Sequence, residues 1–328
     1  MRARSCVIVF VSAKRKPACR FGKVSTLRST LRSTCALSLP ALVSEMKSTI
    51  HTWIQPGSTG TPPPMARAAY CFFGLALLAL SSCPSWARAA DAGWAALQQT
   101  YFPGKQLEPA AFVRLTAPAR APSGEQVPFA FSIDHPMLDK QYIKSVTVIV
   151  DENPVPLTAV FHFTPDSGKA EVATRIRFEI DSPVHVVAEA SDGRFYVNST
   201  VVKASGGCGG PATGDNAAAM AAAGKMKMAL NGPFRPGSVN KARLLIKHPM
   251  YTGLQRDLAT NGFRPAFFVD KIEVSYNGRT VMRADTYISI SEDPSIQFSF
   301  LAREPGALQV SIRDNEGGSF RHSLEIGG

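Results

Sequence analysis

One cysteine stands between two pairs of glycines, in Gly206-Gly207-Cys208-Gly209-Gly210. A thiolate attacks sulfur centres and also leaves from them, so cysteine forms bonds that other enzymes can reverse. Glycine has no Cβ and visits backbone conformations closed to other residues. A thiol on such a stem suits delivery better than catalysis in place. Catalysis needs a base held within hydrogen-bond reach of the nucleophile. His135, His162, His185, His248 and His322 are all distant from Cys208 in sequence. A free thiol has a pKa near ~8.5, so only about 3% is thiolate at neutral pH.

Other candidate chemistry is weaker. His135, Met137, His248, Met250 and Cys208 are the ligand types of a blue-copper site. Such a site draws Cys, His and Met from one short loop, and no histidine follows Cys208 closely. The two His-Pro-Met units read instead as the ends of matching strands, with methionine in each core. No Cys-x-x-Cys pair supports zinc. The glycines lack the Gly-Lys-Ser/Thr that completes a phosphate loop. Asp151-Glu152 and Glu292-Asp293 adjoin prolines and read as turns. No metal or cofactor is expected.

The other cysteines lie in a different kind of sequence. Cys6, Cys19, Cys35, Cys71 and Cys83 all precede Asp91. The formal net charge of +11 is also confined to that region. Residues 1–64 carry ten Lys/Arg and one acid, and Arg67 and Arg88 add two more positive charges. From Asp91 onward 24 basic residues balance 24 acidic ones, so nothing in the bulk charge points to nucleic acid. Residues 1–64 read as an extension outside the working protein. From Met65 a charged start, an apolar run from Ala68 to Leu80 and Ala87-Arg88-Ala89 make a secretory signal over residues 65–90, too short to span a membrane. Leu80-Ser81-Ser82-Cys83 also fits a lipoprotein signal that would anchor the chain through Cys83. Export to the periplasm leaves one thiol in the mature chain. An unpaired thiol in an oxidising compartment reads as an intermolecular or reactive one.

The elements that carry this thiol are β-strands. Trp94–Phe102 predicts a short helix. Beyond it the apolar residues recur with period two. Val127, Phe129, Phe131 and Ile133 form one such run. Val146, Val148 and Val150 form the next, then Leu157, Ala159, Phe161 and Phe163, then Val172 through Ile180. Ser191-Asp192-Gly193 is a hairpin turn. The pattern repeats. Ile133-Asp134-His135-Pro136-Met137 returns as Ile246-Lys247-His248-Pro249-Met250, and Lys144–Val150 as Lys271–Tyr276. Arg177-Phe178-Glu179-Ile180 answers Gln297-Phe298-Ser299-Phe300, and Asp192–Phe195 answers Asp314–Phe320. The expected fold is all-β: two immunoglobulin-like sandwiches, at 91–203 and 225–328, joined by a flexible Gly/Ala-rich arm at 204–224. Ala217–Ala223 has weak helical character.

Val201-Val202-Lys203 running into Gly206–Gly210 resembles the C-terminal swinging arm of SoxY, and Met226–Ile326 resembles SoxZ. Together they are similar to a fused SoxYZ sulfur carrier of the variant associated with quinoprotein dehydrogenases. The resemblance implies a non-enzymatic carrier. Cys208 would hold covalent sulfur-oxidation intermediates, and Gly206, Gly207, Gly209 and Gly210 would form its pliable stem. Partners would be periplasmic sulfur-oxidation enzymes, or a quinoprotein dehydrogenase and its cytochromes, docking transiently. One feature departs from the two-chain carriers. Pro211 follows the motif and the chain continues, so the arm is tethered at both ends. A carrier requires an accessible thiol, and the reading collapses if that side chain lies deep inside one of the sandwiches, sealed from solvent. The alternative is an Ig-like scaffold that binds without using Cys208.

Overall fold

A computed structural model describes residues 85–210, 216–257 and 260–327. The extension, the start at Met65, the apolar run of the signal and Cys83 lie outside those residues. Ala87–Ala89 falls inside the first helix, α1 (Ser85–Tyr101), which starts earlier than Trp94. A second helix, α2 (Asn216–Ala222), forms where the alanines suggested a helical turn.

Among the described residues, fifteen strands and a single 3-10 turn at Pro165–Ser167 make up the other elements. The first half holds β1 (Leu107–Pro109), β2 (Val113–Thr116), β3 (Val127–Ile133), β4 (Ile143–Val150), β5 (Leu157–Phe163), β6 (Glu171–Ile176), β7 (Ser182–Ala190) and β8 (Phe195–Val202). The second half holds β9 (Met226–Leu230), β10 (Ser238–Ile246), β11 (Val269–Tyr276), β12 (Arg279–Thr286), β13 (Ser295–Ala302), β14 (Gly306–Asp314) and β15 (Ser319–Ile326). Alternation produces these strands because successive side chains point to opposite faces. On β3 the apolar set at Val127, Phe129, Phe131 and Ile133 is buried, while Pro128 is exposed.

The all-β fold with two Ig-like halves is the one expected from sequence, and the halves are joined by strand pairing as well as by the linker. Both sheets run through both halves. One sheet orders β1-β8-β7-β4-β5-β12-β11-β14-β15, the other β2-β3-β6-β13-β10-β9. Apart from β1, each order is a palindrome of the repeat, with β5 meeting β12 and β6 meeting β13 at the centre. The first junction pairs Phe163 with Met282 and Ala159 with Thr286. The second pairs Val172 with Phe298. Edge strands present unpaired backbone groups, and here the edges of one repeat are closed by those of the other. The arrangement is that of a symmetric dimer interface within one chain.

The core lies between the sheets. Phe131 on β3 meets Phe161 on β5 at 5.5 Å between ring centroids, and Tyr276 on β11 meets Phe300 on β13 at 5.2 Å. Helix α1 covers the outer face of the first half. Its Leu97 and Tyr101 lie on Ile149 and Val187, and Trp94 stacks on His185 at 3.7 Å. Phe161 is 1% exposed on a strand paired on both sides. Phe161→Ala is expected to cost ~3–5 kcal/mol through the cavity it leaves. At ~2–4 °C per kcal/mol for a domain of this size, the melting temperature falls by roughly 6–20 °C in a thermal scan.

One repeat correspondence fails. Gln297–Phe300 lies inside β13, but β6 ends at Ile176 and Arg177–Ile180 has left the sheet. Alternation of residue types continued past the last ladder bond because Phe178 is still buried, now outside the strand.

Candidate functional site

Cys208 does not ride on an exposed, free stem. Its side chain is fully buried, although Gly206 and Gly209 on either side are exposed. The arm lies along the surface with its thiol turned inward. This corrects the expectation of an accessible thiol, and the cause is the glycines themselves. A Cβ at Gly207 would stand 2.2 Å from the Gly124 carbonyl oxygen and 2.6 Å from that of Phe178. A Cβ at Gly124 would stand 2.0 Å from the Phe178 carbonyl oxygen. Without those carbons three backbone segments close together, and the arm becomes a strap. Gly206, at φ +74°, takes a left-handed conformation that favours glycine.

Six hydrogen bonds hold residues 206–209. The N–H of Gly206 donates to the Glu179 carbonyl (2.9 Å) and that of Gly207 to the Phe178 carbonyl (2.9 Å). Glu179 Oε2 accepts from the N–H of Cys208 at 2.7 Å and from that of Gly209 at 3.0 Å. Arg177 Nη1 donates to the Gly207 carbonyl at 2.9 Å. From the second half, Thr252 Oγ1 donates to the Cys208 carbonyl at 2.7 Å. The seat therefore spans both halves.

Arg177 ties the seat together. It is buried, and its partners are backbone oxygens: Gly207, Met250 (3.2 Å) and Ile290 (3.3 Å). Asn153 braces the same loop, donating to the Arg177 carbonyl and accepting from the Glu179 N–H. Burial pushes the Cys208 thiol up to about 12. The neighbouring Glu179 carboxylate adds to this and Arg177 opposes it. Seated Cys208 is thus a neutral thiol, not a nucleophile.

The His-Pro-Met units serve structure. Met250 is buried, its sulfur accepts from the Val269 N–H at 3.3 Å, and His248 Nδ1 accepts from the Met250 N–H at 3.1 Å. Burial pushes His248 down to about 4, so it is neutral. His135 is half-buried beside its own loop and Met137 packs on the core. Among the described residues no three His, Cys, Asp or Glu side chains are grouped to hold a metal. Gly210 lies beside Glu125 and the Gly206 carbonyl.

Two family models match this chain: Sulfur oxidation protein SoxY over residues 98–208, and Sulphur oxidation protein SoxZ over residues 231–325. The chain is a fused SoxYZ carrier. Its SoxY half ends, by that match, on Cys208 itself. Among solved structures, the sulfur carrier protein SoxY from Chlorobium limicola f thiosulfatophilum is 21% identical, over 35% of this chain and 93% of that one, with a TM-score of 0.30. A superoxide reductase (neelaredoxin) from Ignicoccus hospitalis is 19% identical, over 36% and 91%, with a TM-score of 0.24. No curated protein matches.

Arg177, Glu179, Thr252 and Gly124 escaped the sequence reading. Arg177 and Glu179 looked like the polar face of a SoxY strand. Thr252 is 44 residues from Cys208, and no spacing ties the two. Pro122-Ser123-Gly124 was the one signal present, a glycine at a turn whose demand for close approach could be suspected but not aimed.

Proposed function

We propose that this SoxYZ protein carries covalent sulfur intermediates on Cys208 and presents them to separate enzymes, without catalysing a step itself. The observation that carries this reading is that the SoxY match closes on Cys208, the only cysteine after Asp91. The proposed setting is the periplasm after removal of the signal. The proposed partners are sulfur-oxidation enzymes or a quinoprotein dehydrogenase with its cytochromes. Among the described residues no helix is long and apolar enough to cross a membrane.

A seated thiol cannot react, so carrying requires the arm to leave its seat. The energetics allow this. Six hydrogen bonds contribute about 1 kcal/mol each, somewhat more for those to Glu179 and Arg177. Ordering four backbone residues costs ~4–8 kcal/mol. The two nearly cancel, leaving a margin of a few kcal/mol that a docking enzyme can supply.

Burial of Cys208 favours a second reading, in which the strap is purely structural and the protein is a binding scaffold. Intact mass of protein purified from cells oxidising sulfur compounds separates the two. The carrier is expected to show additions in steps of a sulfur atom or a sulfite, on Cys208, with the disulfide-linked forms removed by reductant. An unmodified thiol under every growth condition supports the scaffold.

A further inference from the structure

The seat is acidic. Glu179 touches the arm backbone on one side. Glu125 lies against Gly210, where a Cβ would be 3.3 Å from its Oε1. Glu292 is exposed, close enough to Arg177 and Glu125 to feel both, with half-buried Asp293 beside it. Among the described residues the cation facing Cys208 is Arg177, whose nitrogens are already committed to three carbonyls and whose charge also faces Glu125 and Glu292. The thiol itself has no exposed surface.

We propose that this seat reads the cargo state of Cys208, closing over the free thiol and expelling the arm when the sulfur bears an anionic group. The proposal rests on the carrier reading. A neutral thiol fits a buried site at little electrostatic cost. An anionic sulfur group there would be desolvated beside Glu179, with Arg177 offset by Glu125 and Glu292, and burying a charge without a free partner is strongly unfavourable. Because the arm is held by a narrow margin, that repulsion suffices to open it. Glu179 is the specificity-determining residue: the carboxylate that caps the Cys208 and Gly209 amides is also the nearest negative charge to the cargo. Free carrier would thus be hidden from stray oxidants, and loaded carrier displayed to the enzymes that process it.

The test uses the full chain and two reagents of similar size and opposite charge, the sulfonatoethyl and trimethylammonioethyl methanethiosulfonates. In each case the Cys208 thiolate attacks the sulfenyl sulfur, a disulfide forms, methanesulfinate leaves, and the thiol proton goes to solvent. Labelling proceeds at high pH or after transient unfolding, and refolding is checked by circular dichroism. Amide hydrogen exchange is then read at residues 206–209. The free thiol is expected to be protected. The sulfonate adduct is expected to exchange at least ~100-fold faster, and at least ~10-fold faster than the cationic adduct. In Glu179→Gln the difference between the two adducts shrinks. Equal exchange for both adducts, or no rise with the sulfonate, overturns the proposal. Either result leaves the carrier reading standing, because native adducts and the activity of Cys208→Ser decide that separately.

Discussion

Cys208→Ser is expected to reduce turnover of sulfur compounds, with the partner enzymes supplied, to below about one part in a thousand of wild type, while the fold persists. Serine is the same shape with oxygen for sulfur, but its hydroxyl is not a nucleophile without a base held against it. The described hydrogen bonds of Cys208 are made by its backbone, with Glu179 and Thr252, and no histidine is among them. Oxygen also forms no bond to sulfur that thiol–disulfide exchange can reverse. The structural cost is modest. Six backbone and side-chain bonds of the seat are indifferent to the change, and a buried hydroxyl lacking a partner costs ~1–3 kcal/mol. Circular dichroism should therefore match wild type, with a melting temperature lower by a few degrees. Full turnover by this variant would remove the carrier role and leave the scaffold.

Much of the fold was legible because strands with one buried face write that burial into alternate residues. Phe129, Phe131 and Ile133 are one instance; the repeat at His135-Pro136-Met137 and His248-Pro249-Met250 exposed the duplication. What did not show is how the repeats meet. Residues 159–163 of β5 pair with β12 through their backbones, and backbone pairing leaves no trace in side-chain type. The same gap hid the seat. From sequence, Gly207 signals freedom; in the fold its missing Cβ permits contact with Gly124 and Phe178. Both properties follow from one absent atom, and only the neighbours decide which is used. The closed arm uses contact, and the carrier role we propose would use freedom as well, in an open arm.

That double use makes Gly207→Ala the sharper experiment. Both atoms its methyl would strike are backbone oxygens, at 2.2 and 2.6 Å from the added carbon, and neither can swing aside as the tip of a side chain would. The seat has only a few kcal/mol to lose, so the arm should be open most of the time while the sheets remain intact. Alkylation of Cys208 by iodoacetamide at pH 7 is expected to accelerate at least ~100-fold, the equivalent of ~2.7 kcal/mol of lost docking. The pH profile carries the sign. Seated Cys208 is pushed up to about 12, whereas a free thiol titrates near ~8.5. The closed state therefore binds the proton more tightly. Its stability is intact below ~8.5 and is lost progressively as pH rises from there towards about 12. In the variant, alkylation should level off once the thiol is ionised above ~8.5. In wild type it should keep climbing past that point, because ionisation itself pulls the arm out, so the gap between the two narrows with pH. Equal rates for both proteins at pH 7 would mean that the seat shields nothing, and with that the closed arm would lose its part in the carrier's cycle.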